Sequence, residues 1–343
     1  MTAPKTRKRA TQEDVARAAG VSQTAVSLVL NDSETRSIAP ETRRRVLDAI
    51  EELNYVPNGA ARGLRTQKTL IVASMIPDIT NPFYPAFERG IQDIADSHGY
   101  DLIAYNSDGL REKELRCIRA MLRTRVDGVI ATPFQVTAED FSPLIESGVP
   151  VVVFGELLGT PPESPLDVVY LNDAAAAGKL VEYLIDRHYL PLAMISASAE
   201  HRRREGRTTA YQHILAERVP DQPPLVARGG DPTEAGGYAA MRTLLAGSPL
   251  PRGVFTTNDM MAMGAMVAIR EAGLRIPEDI AVAGFDDITV ARLLHPTLTT
   301  VAQFPERLGH QAAEMLFSRL TGAVSGAGRR VEMPYELMIR ESA

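Results

Sequence analysis

The chain has 343 residues, 45% hydrophobic and 23% charged, and its 37 Lys and Arg against 43 Asp and Glu leave a net charge of −6. That composition is globular and the length suits about two domains. A single cysteine excludes a disulfide scaffold or thiolate metal site, no apolar run reaches the ~18 residues of a membrane span, and the acidity argues at first against nucleic acid.

The charge is unevenly spread. Residues 1–68 hold 12 Lys and Arg against 8 Asp and Glu, a net of +4, whereas the remainder holds 25 against 35, a net of −10. A small basic head on a large acidic body points to a polyanion at one end only. The basic start runs into Thr11-Gln12-Glu13-Asp14 without the apolar stretch of a signal peptide, so a cytoplasmic protein is expected.

Thr11 opens the first predicted helix, its hydroxyl placed to accept from the Asp14 backbone, with Val15, Ala16 and Ala19 inward. Gly20-Val21-Ser22 breaks it, and Ser22 caps a second helix in which Val26, Val29 and Leu30 face inward. Gln23, Thr24, Ser27 and Leu28 fall on the other side. A third helix opens on Pro40 and carries Val46, Leu47, Ile50 and Leu53 at helical spacing. Two helices joined by a tight glycine-containing turn, with a third across them, make a helix-turn-helix headpiece over residues 1–57. A small, polar, basic segment follows at 58–68, with Leu64 its one large apolar residue.

From residue 69 the rhythm becomes strand and helix in alternation. Apolar runs at 69–77, 101–105, 126–132, 149–154, 167–171, 192–197, 225–228, 253–257, 280–285 and 298–302 are separated mostly by amphipathic stretches such as Phe87–Ser97, Lys113–Arg123 and Ala262–Ala272. Near-continuous apolar strands with intervening helices predict parallel sheets covered on both faces. Ten such strands predict an α/β unit over 69–343 built as two lobes, with the crossover expected around 149–154 and Thr160–Pro165.

Ligands of open α/β sheets bind beyond the carboxyl ends of the strands. The residues there include Asp78 to Tyr84, Asn172-Asp173, Asn258-Asp259 and Asp286-Asp287, a ring of amides, hydroxyls and carboxylates with two aromatics. Any one of them serves equally as a helix cap or turn former, but the set suits a sugar or polyol. The run His201 to Arg207, containing Arg204, Glu205 and Arg207, reads either as a grip for an anion or as a solvated helix entrance. No phosphate loop, dinucleotide fingerprint, nucleophile elbow or zinc-protease motif occurs, so neither enzyme, cofactor nor metal is expected. Cys117 sits at helical spacing among apolar residues and reads as a core thiol.

These residues carry a resemblance. Asp14-Val15-Ala16, Ala19-Gly20-Val21-Ser22, Ala25 to Asn31, Pro40 to Arg43 and Leu53 to Asn58 resemble the headpiece of the lactose/galactose repressor family. Asn81-Pro82-Phe83-Tyr84, Thr257 to Ala265, Gly284-Phe285-Asp286-Asp287 and Pro296 to Val301 continue it in family order. The resemblance implies a ligand-responsive repressor: headpiece, hinge helix and a two-lobed effector domain like a periplasmic sugar-binding protein, acting as a homodimer on a pseudo-palindromic double-stranded operator. It places Thr11, Ser22, Gln23, Thr24, Ser27, Leu28, Asn31, Asn58 and Leu64 at the DNA. Gln23 and Thr24 would read base edges, Leu28 would meet a thymine methyl, and Leu64 would wedge into the minor groove. Phe83, Tyr84, Asn258 and Asp286 fall on family pocket positions, and Asp78, Arg204, Glu205 and Arg207 complete the candidate effector set. Two positions depart from the pattern: ungapped alignment puts Glu205 where the family carries an arginine, and Pro232 where it carries an aromatic residue. The chain stops soon after Tyr335 to Ile339, which leaves no room for a tetramerisation tail and favours a dimer. The rival of the same architecture is a solute-binding protein of transport, which needs export.

Overall fold

A computed structural model describes residues 10–30, 38–56, 68–157, 160, 163–197 and 205–343; the side chain of Glu205 is outside that description. Asn31, Asn58, Leu64 and Arg204 lie outside the described residues. The chain divides into two compact units, Met1–Thr69 and Leu70–Ala343.

The first unit contains α1 (Gln12–Ala19), α2 (Gln23–Leu30) and α3 (Pro40–Glu52). Thr11 starts α1 through a capping box: its hydroxyl accepts from the Asp14 N–H at 3.3 Å, and the Asp14 carboxylate accepts from the Thr11 N–H at 2.9 Å. Gly20, at φ +64°, ends the helix in the left-handed conformation. Ser22 then accepts from the Ala25 N–H at 3.2 Å and starts α2. Val15, Ala16, Ala19, Val26, Val29, Val46 and Ala49 form the core. Leu47 does not join them. It is 51% exposed, because the buried face of α3 runs from Val46 to Ala49 and the residue after Val46 turns away.

The second unit holds β1 (Ile71–Ile76), α4 (Phe83–Ser97), β2 (Asp101–Asn106), α5 (Arg111–Thr124), β3 (Gly128–Ala131), α6 (Ser142–Glu146), β4 (Val151–Phe154) and β5 (Asp167–Tyr170). There follow α7 (Asp173–Asp186), β6 (Leu192–Ser196), α8 (Glu205–Arg218), β7 (Leu225–Arg228), α9 (Glu234–Leu245), β8 (Gly253–Thr256), α10 (Asp259–Glu271) and β9 (Ala281–Ala283). The last elements are β10 (Thr300–Ala302), α11 (Pro305–Leu320), β11 (Arg330–Glu332) and β12 (Glu336–Met338).

All ten apolar runs contain strands, but two short strands, β11 and β12, carry no apolar alternation to announce them. A parallel six-stranded sheet has the order β11-β5-β4-β3-β1-β2, a second parallel sheet is β7-β6-β8-β9, and β10 pairs with β12 antiparallel. Each sheet is the core of one lobe. The expected crossover at 149–165 is therefore misplaced: β5 still pairs with β4 in the first lobe, Val153 opposite Val168. The chain leaves that lobe at Leu171-Asn172, returns through Gln303-Phe304 into α11, and crosses again after Glu332. An apolar run reports that a strand is buried, not which sheet receives it.

Two carboxylates of the first lobe show opposite ways of meeting burial. Asp167, fully enclosed, accepts from Arg319 Nε and Nη2 at 2.8 and 2.7 Å and from Arg329 Nη2 at 2.6 Å, tying β5 to α11 and to the approach of β11. Burial alone would raise its pKa, but the two guanidinium groups outweigh that and hold it below the usual carboxylate range. Glu88 on α4 has no cation beside it among the described residues: one oxygen accepts from the Ser74 hydroxyl at 2.7 Å, and the other, shielded from solvent, has no hydrogen-bond partner among them. Burial pushes its carboxyl up to about 7. A raised native pKa means the native state binds more protons than the unfolded one between pH 4.5 and about 7, so stability falls as pH rises through that window. The expected loss totals about 3 kcal/mol. Urea titrations of the wild type and Glu88→Gln at pH 5 and pH 8 check it: the variant's pH difference should be smaller than the wild type's by about that amount, other raised carboxyls supplying the rest, and an unchanged difference would show that Glu88 contributes nothing to it.

Candidate ligand-binding cleft

Within the second unit a cavity of about 530 Å³ opens at the carboxyl ends of strands from both lobes. One wall is aromatic. The Asn81 side chain accepts from the Phe83 N–H at 3.0 Å, so α4 begins a turn earlier than the apolar pattern predicts and presents Phe83 and Tyr84 at its first residues. Phe83 packs edge-on to Tyr84 at 5.2 Å and stacks on Phe154, from the end of β4, at 6.0 Å.

The opposite wall is polar. Arg207, in the first turn of α8 and only 6% exposed, donates from Nε and Nη2 to Asp173 at 3.1 and 2.9 Å and from Nη1 to the Thr257 carbonyl at 2.6 Å. Its Nη1 also lies 3.8 Å from Asp286, and the guanidinium sits 3.6 Å over the Phe285 ring. Those contacts hold the plane of the guanidinium in place. Gln303, on a crossing segment, donates from Nε2 to the Asp286 carboxylate.

Asp286 and Asp287 diverge because both adopt positive φ, +129° and +53°. The turn sends Asp286 into the cleft, whereas Asp287 pairs with Arg340 and Arg292 at 2.5 and 3.2 Å. Non-glycine residues in this region carry a conformational cost, and they concentrate where a binding site over-determines the backbone. Beneath lies Asp259, fully buried, accepting from Thr300 Oγ1 at 2.5 Å and the Ile288 N–H at 2.9 Å. Burial first, and the Asp286 charge second, push the Asp259 carboxyl up to about 8. Gly284 permits this arrangement, since a Cβ there would stand 2.2 Å from Asp259 Oδ1.

Of the predicted effector residues, Phe83, Tyr84, Arg207 and Asp286 line this cavity. Asp78 lines an adjoining one of about 330 Å³, which shares the Tyr84 and Phe134 walls and also contains Pro232. Its carboxylate closes a turn, accepting from the Thr80 N–H and hydroxyl at 2.8 and 2.6 Å. Asn258 is fully buried and lines neither; its oxygen caps α10 by accepting from the Met261 N–H, and its Nδ2 donates to the Pro232 carbonyl, both at 2.9 Å. Glu205 is the first residue of α8.

Asp173, named in the predicted ring though not in the effector set, also lines the main cavity, as do Gln303, Glu156 and Glu332, which the sequence does not single out. Asp173 has a signal, its place after a strand; Gln303 and Glu332 are recognisable only once the lobe crossings are known. Glu156 pairs with Arg330 at 2.8 Å, and the Tyr170 hydroxyl donates to Glu332 at 3.2 Å. Cys117 lies in the core between α5 and its sheet, its thiol pushed up first by burial, which is the setting of an inert thiol. In the first unit Gln23 and Thr24 are exposed, Ser27 and Leu28 are half-buried, and Leu28 stands outside the core cluster.

A helix-turn-helix unit followed by a two-lobed α/β binding unit is the build of a ligand-responsive DNA-binding regulator. The sequence model for bacterial regulatory proteins of the lacI family matches residues 11–58, and that for the periplasmic binding protein-like domain matches residues 181–343. Catabolite control protein A of Priestia megaterium is 34% identical over 331 residues, covering 96% of this chain and 98% of that protein. The ribose operon repressor of Escherichia coli K12 is 33% identical over 336 residues, covering 97% and 100%. Among solved structures, a complex of the transcriptional regulator CelR with cellobiose is 31% identical with a TM-score of 0.70, covering 98% of this chain and 100% of that one. The lac repressor dimer bound to operator and the anti-inducer ONPF is 25% identical with a TM-score of 0.83, covering 98% and 99%. The chain belongs to the lacI family of bacterial regulatory proteins and is a DNA-binding transcriptional regulator of the repressor type.

Proposed function

We propose that the chain is a cytoplasmic homodimeric repressor, without catalytic activity, whose grip on a pseudo-palindromic double-stranded operator is switched by a neutral sugar or polyol in the cleft between its lobes. The domains of this reading are a headpiece at 1–57, a hinge at 58–68 and an effector unit at 69–343. The observation that carries the effector class is the pairing of Arg207. Its positive charge is already matched by Asp173 and Asp286, so little attraction is left for an anion. Carboxylates and the Gln303 amide, facing the aromatic wall of Phe83 and Phe154, match vicinal hydroxyls and the apolar face of a sugar ring. A relative that is a ribose operon repressor and a neighbour solved with cellobiose support the same class. Lobe closure around the sugar would shift the relation between the two headpieces of a dimer, and Gln23, Thr24 and Leu28 are the side chains offered to the major groove. A solute-binding role on the same two lobes leaves the headpiece without a task.

A thermal-shift screen of neutral sugars, polyols, amines and sugar phosphates tests the effector class. A ligand at 100 times its Kd adds about 2.7 kcal/mol of stability. Neutral hydroxyl-rich compounds should produce the shift; shifts confined to phosphorylated or amine compounds would overturn the assignment.

A further inference from the structure

Helices α4 and α11 cross at backbone contact. Gly90 makes this possible, because a Cβ there would meet the Glu306 carbonyl oxygen at 2.1 Å. The crossing brings Asp93 of α4 beside Glu306 and His310 of α11, two residues one helical turn apart on one face. One ligand atom from each lies within 4.8 Å of the other two. None of the three lines the cleft.

From this geometry we infer that Asp93, Glu306 and His310 form a site for a divalent transition-metal ion such as Zn²⁺, clamping α4 to α11. Three observations carry it. The ligand set of one imidazole and two carboxylates is the mixed nitrogen and oxygen chemistry that Zn²⁺ accepts with a water in the remaining position. His310 Nε2 is shielded from solvent and has no hydrogen-bond partner among the described residues, so the nitrogen that would ligate is not spent on any of them. It stands 3.6 Å from Asp93 Oδ2, too long for a hydrogen bond. That spacing is near the roughly 3.4 Å edge of a coordination tetrahedron with bonds of about 2.1 Å. Arg89 approaches the other Asp93 oxygen, Oδ1, at 3.5 Å and leaves Oδ2 turned to the histidine. The exposed carboxylates of Asp93 and Glu306 give the ion its way in from solvent.

Sequence alone hides the site, since only Glu306 and His310 are neighbours along the chain and one i,i+4 pair is a common surface pattern. The test uses the full-length chain, free of any histidine tag and stripped with chelator. Zn²⁺ is titrated by calorimetry and Co²⁺ by its visible d–d absorption. The expected result is one ion per chain, with His310→Ala and Asp93→Asn each weakening binding at least about 100-fold, since even outer-shell losses cost 10–100-fold. Both side chains are partly exposed, and an unchanged circular dichroism spectrum shows that the variants remain folded. Stoichiometric binding that both folded variants retain, or no saturable binding by the wild type, overturns the assignment.

Discussion

Asp167→Ala is expected to destabilise the second unit by about 3–5 kcal/mol, the usual cost of removing one partner from a buried ion pair. Asp167 is fully enclosed, and its loss strands Arg319, whose side chain is 9% exposed, together with Arg329. The Arg319 guanidinium keeps only its bonds to the Gly326 and Ala327 carbonyls, at 3.1 and 2.9 Å. The damage falls where the start of β5, the end of α11 and the approach to β11 meet, so the first lobe loses the tie among these three elements. For a unit of this size the melting temperature should fall by roughly 10 °C, read by calorimetry. The depressed native pKa of Asp167 gives the same sign in acid: its contribution is present above the ordinary carboxylate range and is lost as pH falls below it. A variant that melts within a degree or two of the wild type would show that the pair offsets little more than its own desolvation.

Asp286→Asn has the largest expected effect on function. The change keeps the shape and suits the positive φ of this position, which asparagine tolerates better than most residues. It removes the charge that faces Arg207 and accepts from Gln303, and with it the strongest acceptor offered to a ligand hydroxyl. A hydrogen bond to a charged group contributes about 1.5–3 kcal/mol, so a ligand bound through two such bonds should lose about 100-fold or more in affinity. DNA binding without effector should be unchanged, because Asp286 belongs to the second unit and the DNA-reading residues to the first. Calorimetric titration of the effector beside a DNA-binding assay separates the two. An unaltered effector isotherm would remove Asp286 from the site.

The architecture is more legible in the amino-acid sequence than the joints between its lobes. Parallel strands are legible because both faces are covered and their residues run apolar almost without interruption, as in Val151 to Phe154. The lobe crossover was not legible, because β5 and the second-lobe strands have the same apolar character and pairing is a non-local choice. β11 and β12 are three residues each at partly exposed positions, too short to show a period. Among the site residues, Phe83, Tyr84, Arg207 and Asp286 share one cavity because strand ends and helix starts converge there. Asn258 has the same kind of position, yet its amide is spent on capping α10 and on the Pro232 carbonyl. Gln303 and Glu332 stand on crossing segments, where no local pattern marks them. The −6 net charge pointed away from DNA only while it was averaged; divided at residue 68, it separates a +4 DNA-reading unit from a −10 ligand-binding body.

In the proposed function one chain couples a sequence-selective grip on DNA to a sugar-sized ligand in the cleft. Fluorescence anisotropy with a DNA fragment selected by the protein from genomic DNA, titrated with and without the effector found by thermal shift, tests it most directly. Binding should survive excess competitor DNA, and its affinity should change about 5–150-fold with effector, matched by the same factor in effector affinity when DNA is bound. Equal affinity for selected and competitor DNA, or an affinity that saturating effector leaves unchanged, would contradict it.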